Sequence, residues 1–377
     1  MNFFSIHSVV ELCQSLVQIP SENPSGSTNR SGEKGIAEFV GGFLKSLRAE
    51  VEYEEIEPGR PNVYGFWPLP VGATQRIMFA PHLDTVTVDG MVVDPFLAKV
   101  SNGRLYGRGS SDTKGSIAAM LWALKSVDLT RLNVGVAFAG LADEEAGQLG
   151  AKACAARKFA DFVVVGEPTN LDLVYTHKGT TWLEIETVGK SVHASLPETG
   201  VNAIDLMTIA LARLRDAFPN LVSSPKNPVL GNATISTGRI RGGTKINIVP
   251  DHCHAEMDIR ILPGQESMAV AVADFFRDQK IPATVRAIKI SAPLFTDCDN
   301  PIIKRLESLG SQLTGASWFC DAAIFSAEGT PAVAIGPGSI AQAHTADEFI
   351  EVAELKRGAE FFTNFLRNFS NGRANQQ

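Results

Sequence analysis

Thiol chemistry has little to work with in this chain. The five cysteines, Cys13, Cys154, Cys253, Cys298 and Cys320, are odd in number, scattered, and form no Cys-x-x-Cys pair. That argues against a disulfide framework or a thiolate zinc site, and reduced thiols are expected. No apolar stretch approaches the length of a membrane span. Basic residues are not in excess either: the net charge of −7 supplies no basic face for nucleic acid. The opening Met1-Asn2-Phe3-Phe4-Ser5 lacks a basic region followed by an apolar segment, so the expectation is no secretory signal and a cytoplasmic location. What remains is a chain of 377 residues, 44% of them hydrophobic, enough to bury two cores.

The centre of the pattern is the short apolar run Ile77-Met78-Phe79-Ala80-Pro81, which turns abruptly into His82-Leu83-Asp84-Thr85. Its length and its closing proline predict a buried strand. His82 and Asp84 then lie at the carboxyl end, where open α/β sheets bind ligands, and the Asp84 carboxylate can reach an imidazole nitrogen of His82. A carboxylate in that place fixes the tautomer of a metal-binding histidine. Taken alone, His-x-Asp is more often a satisfied core histidine, and the other strand ends overturn that reading. Gly107-Arg108-Gly109-Ser110-Ser111-Asp112-Thr113-Lys114-Gly115 precedes a helix predicted over 116–127. Asp112 stands where a phosphate-binding Gly-x-Gly-x-x-Gly needs its third glycine, and an anion there suits a cation better than a pyrophosphate. The strand predicted over 134–139 ends in Asp143-Glu144-Glu145, and that over 162–165 in Gly166-Glu167-Pro168-Thr169. A further strand over 332–335 leads to Ala343-His344.

Around these strands, helices are predicted over 6–17, 33–47, 301–313 and 352–369, and strands over 51–53 and 63–66; the tail from Asn371 reads as disordered. From Gly179 the order becomes strand, helix, strand, strand, helix, strand, the ferredoxin-like succession. The fold class is therefore α/β, with a central mixed sheet flanked by helices over 1–178 and 292–377 and an inserted α+β domain over 179–291. In a long strand predicted over 247–261, Cys253, Ala255, Met257, Ile259 and Ile261 face one way and His252, His254, Glu256, Asp258 and Arg260 the other. His252 and His254 could chelate a metal. With no third ligand suggested nearby, a solvated sheet face is the expectation for them.

The strand-end set is thus His82, Asp112, Glu144, Glu145, Glu167 and His344. Imidazole and carboxylate without thiolate suit catalytic zinc, or cobalt and manganese, and five ligands with one shared carboxylate would hold two ions about 3.5–4 Å apart. These motifs, together with the Pro81-His82-Leu83-Asp84 segment, resemble the acetylornithine deacetylase and succinyl-diaminopimelate desuccinylase family, dinuclear zinc amidohydrolases related to glutamate carboxypeptidase. The resemblance implies that His82 and Glu167 bind one Zn2+, Glu145 and His344 the other, and Asp112 bridges. It also implies that Asp84 orients His82 and that Glu144 is the general base. The inserted domain resembles the family's lid and dimerisation domain. Its segment Gly189-Lys190-Ser191-Val192-His193-Ala194 is similar to one whose histidine reaches a neighbouring subunit and stabilises the oxyanion, and Lys178, Asn247 and Arg260 resemble substrate-contacting positions.

Among substrates, the segments around Gly336-Pro337-Gly338 and Met257-Asp258-Ile259-Arg260 look most like the acetylornithine deacetylase branch, whereas Trp318-Phe319-Cys320-Asp321 resembles broader relatives. The resulting expectation is a homodimeric two-zinc hydrolase acting on a small N-acyl amino acid, with no nucleic-acid or membrane partner. Succinyl-diaminopimelate and C-terminal glutamate peptides are alternative substrates. An alternative of another class is a non-catalytic, metal-containing amino-acid-binding protein.

Overall fold

The structure, a computed structural model, describes residues 3, 6–25, 31–222 and 227–370. The tail from Asn371, predicted to be disordered, lies outside the described residues. The chain divides into two compact units, Met1–Tyr175 with Thr296–Gly315 and Cys320–Gln377, and Thr176–Phe295 with Ala316–Phe319. Among the described residues no helix is long and apolar enough to cross a membrane.

In the first unit a mixed sheet runs in the order Glu50–Glu57, Arg60–Phe66, Gly135–Gly140, Arg76–Phe79, Phe162–Val165, Ala332–Ala334, Leu173–His177. The four strands Gly135–Gly140, Arg76–Phe79, Phe162–Val165 and Ala332–Ala334 are mutually parallel, and antiparallel strands flank them. Every residue of Gly135–Gly140 and Phe162–Val165 is buried, as a parallel strand covered on both faces requires. Parallel pairing sends all four carboxyl ends to one side, and there the chain carries His82, Asp143-Glu144-Glu145 and Glu167. The helices Val9–Val17, Lys34–Ser46, Lys114–Ser126 and Val352–Arg367 contribute their apolar stripes to one core with the sheet. Phe79 of the central strand meets Phe362 edge to face at 5.3 Å.

Several expectations need correction. The helix predicted over 301–313 ends at Glu307, because Gly310, at φ +100, turns the chain and frees Leu313–Ala316 to form a strand. The strand predicted from residue 247 begins at His252, since Pro250 has no N–H for a ladder. Residues 247–249 pair instead with the segment at His193: Ala194 N donates to Asn247 O (3.1 Å) and Val249 N to Val192 O (2.9 Å). Pattern reading passed over the strand Leu173–His177, the helices Leu149–Ala156 and Ala322–Ala327, and a small sheet of Val100–Ser101, Arg104–Tyr106 and Phe349–Glu351.

The second unit is ferredoxin-like, as predicted. Its antiparallel sheet has the order Thr234–Gly242, His252–Ile261, Gly179–Val188, Ala283–Ser291. The helices Ala203–Leu221 and Met268–Asp278 share a core with Cys253, Ala255, Met257, Ile259 and Ile261, leaving the opposite sheet face polar. Asn202 caps the first helix by accepting from Ile204 N and Asp205 N.

Candidate metal centre

Two of the backbone segments that carry the acidic donors, the turn over 143–149 and the loop over 109–112, are tied by buried acids. Asp143, at φ 71, begins the turn after Gly135–Gly140. Its Oδ1 accepts from Arg60 Nη2 (2.8 Å) and Asn23 Nδ2 (3.0 Å), and its Oδ2 from Gly147 N (3.0 Å). Arg60 is in turn gripped by both oxygens of buried Glu33 at 2.7 and 2.9 Å, a two-pronged pair. The Asp84 carboxylate accepts from Glu144 N and Glu145 N, both at 3.1 Å, and from Asn23 Nδ2 at 2.8 Å. Glu348 does the same for the glycine-rich loop: it accepts from Gly109 N, Ser111 N and Asp112 N at 2.9–3.1 Å and pairs with Arg108 at 2.8 Å. Gly109 takes φ +78 there, and an added Cβ would stand 2.7 Å from Thr85 Cγ2.

These supports bring five side chains together. Donor atoms of His82, Asp112 and Glu167 lie within 4.8 Å of one another, and so do those of Asp112, Glu145 and His344. Asp112 belongs to both sets, with Oδ1 3.1 Å from His82 Nε2 and Oδ2 3.5 Å from His344 Nε2. His344 Nε2 is also 3.2 Å from Glu145 Oε2. Donors about 2.0–2.1 Å from one tetrahedral ion stand about 3.3–3.4 Å apart, so these spacings suit a shared cation. Glu144 approaches as well, its carboxylate falling within 4.8 Å of donors on His82 and Glu145. The Asp84–His82 contact differs in detail from the expectation: Nδ1 lies 3.0 Å from the Asp84 backbone carbonyl and 3.5 Å from Oδ1. The carboxylate is occupied chiefly by the Glu144 and Glu145 amides.

The electrostatics call for positive charge. Burial drives Glu144 and Glu167 well above the ordinary carboxylate range; His82 pulls both down, but neighbouring acids push them up again. Glu145 is raised by burial too, with His344 opposing. The His82 imidazolium, disfavoured by burial, is nonetheless raised by Asp112 and Asp84, and His344 rises to about 10 through Asp112 and Glu145. Glu167 Oε1 is buried without a hydrogen-bond partner among the described residues. An oxygen-and-imidazole donor set with an orphaned buried carboxylate oxygen fits two divalent ions of the zinc, cobalt or manganese kind.

Sequence reading missed Asp321 as a member of this neighbourhood. Its two buried oxygens have no hydrogen-bond partner among the described residues, and burial raises it to about 7. The signal was a lone acid among the small and apolar residues Cys320, Ala322 and Ala323. Glu348 and the Arg60–Glu33 pair were missed too, since nothing local marks Glu348 as meeting a loop 236 residues away or Arg60 as meeting Glu33 and Asp143, 27 and 83 residues away.

The remaining predicted residues belong to the second unit. His193 is exposed, its Nδ1 2.8 Å from Ser195 Oγ, and the bridge His193↔Ile248 sets it beside exposed Asn247. Arg260 is held by Asp258 Oδ2 at 2.9 and 3.2 Å. Lys178 Nζ donates to Asn232 O at 2.6 Å, and burial lowers its pKa, with Arg260 adding to the effect.

A mixed sheet whose parallel strands and neighbouring loops gather two overlapping sets of imidazole and carboxylate donors defines a candidate two-metal centre. The comparisons agree: residues 78–368 match Peptidase family M20/M25/M40, and the chain belongs to that family. The acetylornithine deacetylase of Proteus mirabilis is 30% identical over 376 residues, covering 96% of each chain. The aminopeptidase PepT of Bacillus cereus superposes with a TM-score of 0.77 at 23% identity, over 96% of this chain and 98% of its own. YXEP of Bacillus subtilis, a dinuclear metal-binding M20 peptidase, gives 0.69 at 14% identity over 96% and 97%.

The Arg60 bridge yields a first prediction. Arg60→Met leaves Glu33 and Asp143 buried without their cation, which should cost about 3–5 kcal/mol. Denaturant unfolding should show a lowered midpoint, and an unchanged one would make the bridge dispensable.

Proposed function

We propose that this chain hydrolyses the amide bond of an N-acyl amino acid, with N-acetylornithine as the leading substrate. The observation that carries the reading is the pair of donor sets sharing Asp112, in a chain similar to an acetylornithine deacetylase over 96% of both lengths. In this reading His82 and Glu167 hold one ion, Glu145 and His344 the other, and Asp112 both. Two bound Zn2+ would lower the pKa of a water and polarise the amide carbonyl. Glu145, committed to an ion, cannot move protons. Glu144 takes the proton of the attacking water as the C–O bond forms, then delivers it to the amine as the C–N bond breaks. Asp84 fixes His82 and the backbone of both glutamates. Arg260 offers a two-pronged guanidinium to the substrate's α-carboxylate, exchanging Asp258 for it, while Lys178 and Asn247 supply further contacts.

A panel of N-acetylornithine, N-succinyl-diaminopimelate and dipeptides ending in glutamate, assayed with Zn2+ or Co2+, tests the substrate. The highest kcat/KM is expected for N-acetylornithine. Hydrolysis of none, with two ions bound, would favour the reading as a metal-containing amino-acid-binding protein, against which the presence of Glu144 speaks.

The adjacent glutamates make a second test. Glu144→Ala should keep its metal by elemental analysis and lose roughly 10²–10⁴-fold in kcat, the usual contribution of a positioned acid–base group. Glu145→Ala should lose metal as well. A metal-free Glu144→Ala beside an active Glu145→Ala would exchange the two roles.

The reading extends to a homodimer formed through the inserted unit, in which His193 serves the partner's site by donating to the oxyanion. Co-expression of Glu144→Ala with His193→Ala separates this from action within one chain. A mixed dimer then holds one site with both groups intact, so random pairing should restore about a quarter of wild-type activity. If His193 served its own chain, co-expression would restore nothing.

A further inference from the structure

The polar sheet face of the second unit brings two imidazoles and a carboxylate together. Four strands present a row of directly opposed residues, Arg241, His254, Glu186 and Thr284, with His252 two positions from His254 on the same strand. In the next row, Glu256 pairs with Arg239 at 3.2 Å and Glu184 with Arg286 at 2.9 Å, so each carboxylate there has its own guanidinium. Glu186 has two imidazoles instead. Its Oε1 lies 3.4 Å from His252 Nδ1 and 3.8 Å from His254 Nε2, and the imidazole rings are parallel within 8° with centroids 6.5 Å apart.

Those separations are too long for hydrogen bonds, whose N···O distances run about 2.7–3.2 Å. They are close to the spacing of about 3.3–3.4 Å that donors adopt around one tetrahedral ion. The donor atoms of all three residues fall within 4.8 Å of one another. We infer that Glu186, His252 and His254 form a third metal site, a His2Glu set for one Zn2+ or a similar imidazole-preferring divalent ion. The histidines lie on the exposed sheet face, as the sequence predicts, and the third candidate ligand that the sequence did not suggest comes from the strand alongside.

The chemistry narrows the occupant. Two neutral imidazoles and one carboxylate suit zinc, copper and nickel, whereas Mg2+ and Ca2+ prefer all-oxygen shells. All three side chains are part-exposed, so water completes the coordination and the ion exchanges with solvent. Arg241, opposite His254, adds repulsion and sets an affinity below that of a buried site. Bound there, the ion ties Gly179–Val188 to His252–Ile261 across their register.

Equilibrium titration of the full chain with Zn2+, read by elemental analysis after dialysis at defined free metal, tests the site. Wild type should hold one ion per chain more than His252→Gln/His254→Gln, whatever the occupancy at Asp112, so the result does not depend on the proposed hydrolysis. Glu186→Gln should weaken that extra ion by at least the roughly 10–100-fold that even outer-shell losses cost. A Cu2+ electron paramagnetic resonance spectrum should show coupling to two imidazole nitrogens, lost in the double variant. An unchanged circular dichroism spectrum and thermal unfolding midpoint in metal-free buffer would show that the double variant is folded. Equal stoichiometry in wild type and double variant, or displacement of the extra Zn2+ by an equal concentration of Mg2+, would overturn the assignment.

Discussion

Too many carboxylates share too little space at the carboxyl ends of the parallel strands, and the rest of the first unit is arranged to tolerate it. Asp84, Asp112, Glu144, Glu145, Glu167 and Asp321 crowd around two imidazoles, and burial raises Glu144, Glu145, Glu167 and Asp321. Such a cluster is costly unless cations compensate it. Asp112 answers differently: burial would raise it, but two histidines hold it well below the carboxylate range. Its position between two donor sets is therefore electrostatic as well as geometric.

Tolerance is not alignment, and a second ring of acids supplies that. Glu348 and Asp84 with both oxygens, and Asp143 with one, accept from backbone amides of the ligand-bearing turns. Amide donors satisfy a buried carboxylate without adding a mobile side chain, so the turn and its anchor stiffen together. Arg60 closes the circuit by joining Glu33 to Asp143. The Asp84 carboxylate thus bears more directly on Glu144 and Glu145 than on His82, whose Nδ1 meets the Asp84 carbonyl, and one residue couples the orientation of a donor in each set to that of the acid–base candidate.

Much of this was legible in the sequence because parallel strands advertise themselves as continuous apolar runs, and chemistry at their ends interrupts the runs. His82, Glu145 and Glu167 each follow such a run within a few residues. Asp112 and His344 were legible through the family resemblance and the loop chemistry around them. What stayed hidden has a common cause. Glu348 works on residues near position 110 and Arg60 on residues near 143, and neither partnership leaves a local trace. Short strands such as Val100–Ser101 lack the length for periodicity. The helix predicted past Glu307 shows the opposite error: the apolar spacing continued while Gly310 had already ended the element.

The second unit shows why a face pattern can be right and still leave the neighbours across the sheet unseen. Alternation correctly placed His252 and His254 on the open side of their strand, and Cys253 and Ala255 in the core. Alternation, however, reports neighbours along one strand only, and in a sheet the nearest side chains are those directly across. The register Glu186↔His254 is set by the pairing of Gly179–Val188 with His252–Ile261, elements separated by a helix and another strand. The same register places Glu184 opposite Glu256, a like-charged pair that an arginine on each outer strand offsets. One row further along, the outer positions hold Arg241 and Thr284, and neither relieves Glu186 as an arginine relieves Glu184. A divalent ion between the imidazoles and Glu186 would complete the charge pattern that the arginines complete in the row beside it.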